Sequence, residues 1–245
     1  MKNSFDILML IARPAAGKSE VVDFLKRTSF EKRMERFHVG DFNEIDDFPM
    51  LWAWFEEDEL LEKAGYPRLH TDENNYFKYP YLWNILIERI CLEYHKFVRE
   101  HQSGARQPTT IIEFSRGKEH GGYKEAFQYL SDEVLNKAAI LYIDVPWEES
   151  LRKNRRRFNP NRPDSILEHG LEDEKMERLY KEVDWEEVSA GYSKFIPIKG
   201  YSVPYIVMNN HDDVTTRGGE FLGKRLEENL GQLWDNYQEL HNNAL

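Results

Sequence analysis

One stretch near the amino terminus restricts the fold more than any other. The apolar run FDILMLIA (5–12) leads into a loop of small residues that ends in Gly17, Lys18 and Ser19. A continuous apolar run of this length predicts a strand buried on both faces, as in a parallel sheet. The following segment, 17–28, has apolar residues at helical spacing. The chain therefore begins with a strand, a turn and a helix, and the start of such a helix can bind an anion through main-chain N–H groups.

The rest of the chain repeats this alternation. Further strands are predicted at 36–41, 109–115, 138–145 and 203–210. Helical patterns occupy 49–64, 80–102, 122–137, 147–157, 171–190 and 213–240. Strands that alternate with helices favour an α/β fold with a parallel sheet and right-handed crossovers. We expect one domain, 1–245, with a helical insertion at 42–108, because that interval is longer than a crossover needs.

Composition excludes several classes of partner. The net charge of −11 disfavours broad binding of nucleic acid. A single cysteine, Cys91, rules out a disulfide framework within the chain. No apolar run approaches the roughly 20 residues that span a bilayer, and the N-terminus lacks a cleavage site of small residues. We therefore expect a cytoplasmic protein with no nucleic-acid and no membrane partner.

The loop itself has the residue types of a phosphate site. Such a site needs inward-facing N–H groups, a lysine for the phosphates and a hydroxyl for Mg²⁺. Lys18 supplies the cation, Ser19 the hydroxyl, and Gly17 permits close approach of the backbone. Ala12 stands where the motif has its first glycine, so we expect a strained but workable turn there. The alternative is a chance lysine after an ordinary strand–helix turn.

The segment ARPAAGKS (12–19) is similar to the GxPxxGK[GST] loop of the P-loop nucleoside and nucleotide kinases. The resemblance implies a three-layer P-loop NTPase fold with a five-stranded parallel sheet of order 2-3-1-4-5. It also implies ATP and Mg²⁺ as cofactors. The nucleotide-binding residues that it implies in the loop are Arg13, Pro14, Ala15, Ala16, Gly17, Lys18 and Ser19, with Ala12 as the departure from the pattern.

Acidic residues follow two of the predicted strands. Asp41 ends the strand predicted at 36–41, and Glu113 lies near the end of the strand at 109–115. Ligands of open α/β sheets bind at the carboxyl ends of strands. The resemblance implies that an acid at Asp41 accepts the proton of a hydroxyl acceptor, although a helix cap or a solvated carboxylate remains the alternative. Glu113 is a candidate base, or a Mg²⁺ ligand through water.

Arginines form the remaining candidates. Arg116, just past Glu113, has a guanidinium that matches phosphate oxygens, unless it only fixes the loop through an ion pair with Glu113. The segment 150–168 resembles the arginine lid of nucleotide kinases, since five arginines occur between 152 and 162. Arginines in such a lid stabilise the charge on the transferred phosphoryl group. The candidates are Arg152, Arg156 and Arg162, although glutamates at helical spacing can also pair with some of them.

The resemblance implies ATP-dependent phosphoryl transfer to a small-molecule acceptor, with a nucleoside or nucleotide as the first candidate. Aromatic residues are frequent in 42–108 and either sandwich a flat acceptor or fill the core, the second reading being the stronger. Two alternatives stay open: a kinase of a non-nucleotide metabolite, and an ATP-binding regulatory protein with little turnover. The helical segments 80–102 and 213–240 also offer a face for a homodimer.

Overall fold

The computed structural model of the protein describes residues 3–101, 108–157 and 170–242. Strands and helices alternate along most of the chain. The strands are β1 Ile7–Ala12, β2 Phe42–Asp46, β3 Thr109–Phe114, β4 Ala138–Asp144, β5 Phe195–Ile198 and β6 Tyr201–Asn209. The helices are α1 Lys18–Arg27, α2 Phe30–Phe37, α3 Asp47–Lys63, α4 Leu82–Glu100, α5 Gly122–Ala126, α6 Asp132–Leu135, α7 Trp147–Arg157, α8 Asp173–Tyr180, α9 Trp185–Ser189, α10 Val214–Arg217 and α11 Gly219–Asn242.

The strands form one sheet in the order β2-β3-β1-β4-β6-β5. The first five in that order are parallel, and β5 pairs with β6 in the antiparallel sense. The prediction of a parallel sheet is thus confirmed in its coarse form, but the count of five strands is wrong. The extra strand is short and contains Pro197, which an edge strand tolerates. A tight turn joins it to β6 through Lys199 and Gly200, whose φ angles are 51° and 86°.

The second strand does not lie where the sequence pattern placed it. Residues 36–41 are not a strand, since α2 ends at Phe37 and β2 begins only at Phe42. His38 ends that helix in a left-handed conformation with φ 54°, and the ring of Phe37 is buried. The apolar residues that suggested a strand therefore fill the core from a helix end. As a result Asp46, and not Asp41, is the acidic residue at the carboxyl end of β2.

Helices cover both faces of the sheet, which gives three layers. All six residues of β1 are buried. Ile7, Met9 and Ile11 pack on one face with side chains of α4 and α5, and Leu8 and Leu10 pack on the other with α1 and α11. The strand buried on both faces that the apolar run predicted is confirmed.

The helical insertion lies between β2 and β3 and consists of α3, α4 and the segment that joins them. Leu51 and Trp54 of α3 pack against Leu86 of α4. The buried carboxylate of Asp58 accepts hydrogen bonds from the main-chain N–H groups of three consecutive residues of the joining segment, 69–71. These bonds lower the pKa of Asp58 well below its usual range. The joining segment is thereby fixed against α3.

In the described part of the chain, no helix combines the length and the apolar character that a membrane crossing requires.

Candidate active site

A cavity of about 1250 Å³ lies at the carboxyl ends of β1, β2 and β3. Its walls come from the loop after β1, the start of α1, the inner face of α3, the segment between α3 and α4, and the helices α7 and α8. Crevices of this kind at the carboxyl edge of a parallel sheet are where α/β proteins bind ligands.

Side chains from three distant elements fix the carbonyl groups of the loop after β1. Tyr123 donates to the carbonyl of Ala12 at 2.9 Å. Ser150 donates to that of Pro14 at 2.8 Å, and the amide of Asn210 donates to that of Ala16 at 2.9 Å. Every second carbonyl from residue 12 to residue 16 thus accepts a hydrogen bond from a distant side chain.

Arg13 adds a further attachment of the loop. Its guanidinium donates to the carbonyls of Val145, Tyr180 and Lys181 at 3.1 to 3.3 Å. The side chain therefore ties the loop to the ends of β4 and α8. In this structure the Arg13 side chain supports the loop and does not line the cavity.

Four N–H groups at the end of the same loop are left available, whereas that of Ala16 donates to the carbonyl of Arg13 at 3.4 Å. Among the described residues, no hydrogen-bond acceptor meets the main-chain N–H groups of Ala15, Gly17, Lys18 or Ser19. Ala15 and Gly17 have φ angles of 57° and 114°, and successive N–H groups in such a turn converge on an anion. The loop has the backbone of a phosphate-binding nest, directly before the N-terminus of α1.

The positive φ angles also explain which glycine of the motif is needed. Ala12 lies within β1, so its backbone is not left-handed and an alanine fits without strain. The strain expected at Ala12 instead falls on Ala15. At Gly17 a Cβ atom would lie 2.4 Å from the hydroxyl oxygen of Thr215, and the φ angle disfavours any side chain. Glycine is therefore required at 17 and not at 12.

Lys18 and Ser19 open α1 at the cavity wall. The ammonium of Lys18 donates to the hydroxyl of Ser115 at 2.8 Å. Loss of hydration lowers the pKa of Lys18, while the nearby carboxylate of Glu113 opposes that shift. The Ser19 side chain is exposed and lines the cavity. Both residues lie where the sequence predicted them.

Two carboxyl groups face Lys18 from neighbouring strands. Asp46 and Glu113 are partners in the register of β2 and β3. Burial raises the pKa of Glu113 to about 7, a shift to which the charge of Asp46 adds and which Lys18 opposes. Burial and the charge of Asp47 raise the pKa of Asp46 to about 6. Both groups therefore titrate near neutral pH, as groups that transfer protons in active sites do.

Asp46 and Asp47 are functional candidates that the sequence interpretation missed. Asp46 ends β2 and also caps α3 by accepting a hydrogen bond from the N–H of Phe48 at 3.0 Å. The available signal was the pair of acids that follows the strand-like FNEI. Asp41 instead lies at the opposite, amino end of β2, with an 80 % exposed side chain 3.4 Å from Arg33. It does not line the cavity.

Arg116 lines the cavity but is almost fully buried. Only 1 % of it is exposed, and its guanidinium donates to Asp47 at 2.5 Å and to the carbonyls of Ser115 and Trp83 at 2.7 and 3.0 Å. Its partner is thus Asp47 and not Glu113. The arrangement fixes the turn after β3 and the start of α3 relative to α4, which makes Arg116 a positioning residue in this structure.

The arginine-rich helix α7 presents a different face from the one predicted. Arg157 lines the cavity, and Lys153, one turn earlier, is buried with its ammonium 2.9 Å from Asp213 and 3.1 Å from Thr215. Residues four apart share a helix face, so Arg152 and Arg156 point elsewhere. Arg152 pairs with Glu149 and Asp213, Arg156 is exposed, and Arg162 lies outside the described residues.

The half of the cavity that lies away from the loop is aromatic. Phe48, Trp52 and Phe55 line it from one face of α3. Three further rings complete this aromatic wall, and they belong to Tyr76, Phe77 and Trp83. These six side chains are only partly buried, so they present ring faces and edges to the cavity. The insertion therefore supplies a surface for a flat, apolar ligand group.

The residues beside Lys18 fit the ligand preferences of Mg²⁺. Mg²⁺ is usually bound by one or two carboxylates and substrate phosphates and keeps several waters. The exposed hydroxyl of Ser19 and the carboxyl groups of Asp46 and Glu113 all line the cavity. Within 3–101, 108–157 and 170–242, no group of three or more His, Cys, Asp or Glu side chains is arranged to bind a metal by itself.

Comparison with known proteins gives structural likenesses only. No protein-family model and no curated protein sequence matches the chain. The protein is similar to a sugar kinase from Janibacter sp. HTCC2649, with 13 % identity, a TM-score of 0.39 and coverage of 94 % of this chain and 95 % of that one. It is also similar to TT1252 from Thermus thermophilus, with 16 % identity, a TM-score of 0.43 and coverage of 91 % of this chain and 94 % of that one. Shikimate kinase from Bacteroides thetaiotaomicron has 13 % identity and a TM-score of 0.37, with coverage of 98 % of this chain and 99 % of that one. The function proposed below is therefore based on this chain's own residues.

Proposed function

We propose that the protein transfers the γ-phosphoryl group of ATP to a small acceptor, with a nucleoside or nucleotide as the first candidate class. One observation carries the proposal: the N–H groups of Ala15, Gly17, Lys18 and Ser19 have no acceptor among the described residues, while distant side chains bind the carbonyls at 12, 14 and 16. A backbone arranged in this way, with a lysine at its end, binds the phosphates of a nucleotide.

The half of the cavity beside the loop, here called the donor half, would bind the phosphates of ATP. The N–H groups of Ala15, Gly17, Lys18 and Ser19 would bind phosphate oxygens, and the ammonium of Lys18 would leave Ser115 for the β- and γ-phosphates. Arg157 faces the same region and would add positive charge where the transferred phosphoryl group develops negative charge. Lys153 would support the loop indirectly, because its ammonium donates to the hydroxyl of Thr215 and Thr215 lies against Gly17.

Ser19 would bind Mg²⁺ directly, and Glu113 or Asp46 would bind it through water. The ion, when bound, neutralises charge on the β- and γ-phosphate oxygens and orients them for in-line transfer. This assignment gives Glu113 two candidate roles, which differ in their consequences. A metal role predicts that Glu113→Gln changes the Mg²⁺ concentration needed for half-maximal activity, whereas a base role predicts loss of the turnover rate at saturating Mg²⁺.

The acceptor proton would go to Glu113 if the acceptor is a hydroxyl. The buried carboxyl group lies beside Lys18, at the boundary between the loop and the aromatic wall. Asp46 is the second candidate base, since it is the register partner of Glu113. A phosphate acceptor would need no base. In that case positive side chains of the acceptor half would have to orient it.

The test of the donor half compares Lys18→Ala with Lys26→Ala. Both lysines belong to α1, but Lys26 is exposed and pairs with Glu44 on the surface. We expect Lys18→Ala to weaken Mg²⁺–ATP binding by about 100-fold, since a charge-assisted contact to phosphate contributes roughly 1.5–3 kcal/mol or more in a partly dehydrated site. Lys26→Ala should bind ATP as the parent does. Calorimetry measures both, and equal affinity of Lys18→Ala and parent would show that the loop is not an ATP site.

A further inference from the structure

The proposed function does not specify the chemistry of the acceptor. The half of the cavity that contains the aromatic wall, here called the acceptor half, restricts which acceptors can bind. We propose that the acceptor is an uncharged alcohol that carries a flat ring, and that the enzyme discriminates against acceptors bearing a phosphate or a carboxylate. The inference depends on the proposed function, because it concerns the second substrate of the same site. It selects a nucleoside-like hydroxyl acceptor over a nucleotide.

The first argument is the shape and polarity of the wall formed by α3. Phe48, Trp52 and Phe55 follow one another at intervals of four and three residues, so their rings lie along one face of the helix. The helix begins at Asp47, beside Lys18 and Glu113, and rises about 1.5 Å per residue. The wall therefore starts next to the reacting groups and extends roughly 10 Å away from them. A ring can lie against it while a hydroxyl reaches Glu113.

The second argument is that the arginines of this half already have carboxylate partners. Arg116 pairs with Asp47 at 2.5 Å and Arg178 with Glu119 at 2.9 Å. Arg155 pairs with Asp173 at 2.6 Å. Arg178 also lies over the ring of Tyr76, 4.4 Å from its centroid. An acceptor phosphate could bind one of these guanidinium groups only by displacing its carboxylate partner.

The third argument is the charge of the lining. Among the described residues, ten carboxylates and seven lysines or arginines line the cavity. This described part of the lining is thus net acidic when its carboxyl groups are ionised, and bound ATP adds further negative charge. A second anion in the same partly dehydrated space would be repelled. An uncharged ring meets no such cost and gains from burial against the aromatic wall.

The reaction then follows from the groups present. The acceptor hydroxyl oxygen forms a bond to the γ-phosphorus while the bond from that phosphorus to the β–γ bridging oxygen breaks. ADP leaves with the electron pair of that bond. The hydroxyl proton passes to the carboxylate of Glu113, which is buried and adjacent to Lys18. The products are ADP and the phosphate monoester of the acceptor.

The experiment uses acceptors in charged and uncharged pairs. Adenosine, guanosine, cytidine and thymidine are compared with their 5′-monophosphates, in which a phosphate replaces the 5′-hydroxyl, and benzyl alcohol with 4-(hydroxymethyl)benzoate, which keeps its hydroxyl and adds only a carboxylate. ADP formation gives kcat/KM, and ³¹P NMR identifies the product. We expect the uncharged member of the best pair to be preferred at least 10-fold. Equal use of both members, or preference for the anionic one, would overturn the inference while phosphoryl transfer itself stands.

A second test uses a variant designed to lose the discrimination between charged and uncharged acceptors. Glu119→Gln removes the carboxylate partner of Arg178 and leaves that guanidinium free to bind an acceptor phosphate. We expect the ratio of kcat/KM for the monophosphate of the best pair to that for its nucleoside to be several-fold higher in this variant than in the parent. Glu177→Gln is the matched control, since it removes the same charge beside Arg178 but releases Lys181, which does not line the cavity.

The outcomes separate the two proposals. An unchanged ratio in Glu119→Gln, or the same gain in Glu177→Gln, would contradict the role given to the Arg178–Glu119 pair and with it the inference. Absence of ADP formation with every acceptor, together with tight ATP binding, would contradict the proposed function instead. Fluorescence titration with the paired ligands alone then still measures whether the aromatic wall prefers the uncharged member.

Discussion

The two halves of the cavity are built by different means. The donor half is a seven-residue stretch of backbone, 13–19, whose geometry depends on hydrogen bonds from side chains more than 100 residues away in the chain. The acceptor half is a set of aromatic side chains on α3 and the segment after it, positioned by packing against α4. Under the proposed function, one half would recognise its ligand by main-chain N–H groups and the other by apolar surface.

The difference has a consequence for substitutions. Main-chain recognition tolerates change of most side chains but fails when a backbone conformation becomes impossible. Recognition by apolar surface changes gradually, in proportion to the area removed. Glu113 lies where the halves meet, so its effect should appear in the chemical step rather than in the binding of either substrate.

Gly17→Ala should weaken ATP binding strongly and leave acceptor binding nearly unchanged. The added Cβ would lie 2.4 Å from the hydroxyl oxygen of Thr215, at a φ angle of 114° that alanine rarely adopts. We expect ATP affinity to fall by about 100-fold or more, whereas binding of an uncharged aromatic alcohol should change less than about twofold. Isothermal titration with each ligand measures both effects.

The control for that variant is Gly231→Ala. This glycine lies within α11, with open space around the position of a Cβ atom. The same substitution there should leave both affinities unchanged and stabilise the protein by about 0.5–1 kcal/mol. If Gly17→Ala lost affinity for both ligands equally, the two halves would not be independent.

The pH dependence of the reaction should report Glu113. The base must be ionised, and burial raises its pKa to about 7. We therefore expect kcat/KM to rise about tenfold per pH unit below pH 7 and to level off above it. Glu113→Gln should lower kcat by roughly 10²–10⁴-fold and flatten the profile. A profile of unchanged shape in that variant would assign the base to another group, with Asp46 next.

The same pKa shift predicts the direction of a stability change. The folded protein holds the proton of Glu113 more tightly than the unfolded chain, in which the pKa is near 4.5. The free energy of unfolding should consequently fall as the pH rises from about 4.5 to about 7, and stay lower above that range. Glu113→Gln should lose less stability over this interval, as thermal denaturation at pH 5 and pH 8 would show. An equal loss in variant and parent would argue against a buried, proton-retaining Glu113.

Ala15→Gly should have the smallest effect. Ala15 has a left-handed backbone with φ 57°, which costs an alanine about 1–2 kcal/mol relative to glycine. Glycine loses more backbone entropy on folding, by about 0.5–1 kcal/mol, and the two contributions oppose each other. We expect the free energy of unfolding to change by less than about 1 kcal/mol, with ATP affinity retained. Loss of ATP affinity would mean that the loop uses the Ala15 side chain as well as its backbone.

Much of the fold could be predicted because local signals were strong. The apolar run before Gly17 specified a strand buried on both faces, and the glycine, lysine and serine specified the turn into α1. The segment 36–41 misled, because its apolar residues serve the core from the end of α2 rather than from a strand. That shift moved the acidic end of β2 from Asp41 to Asp46.

Other site residues required the tertiary structure because their roles depend on partners far away in the chain. Nothing local to Arg116 indicates that Asp47 and two carbonyls occupy its guanidinium. Nothing in the arginine-rich segment of α7 tells which helix face turns to the cavity, since that depends on Asp213 and Thr215 of a later loop.

Local sequence signals were enough to predict the strand, the loop and the helix of the donor half, because periodicity and glycine placement act over a few neighbouring residues. The position of Glu113 and Asp46 together beside Lys18, with the aromatic wall next to them, was visible only in the folded chain. Strand register and the packing of the insertion bring those groups together, and both depend on contacts between residues that are distant in the chain.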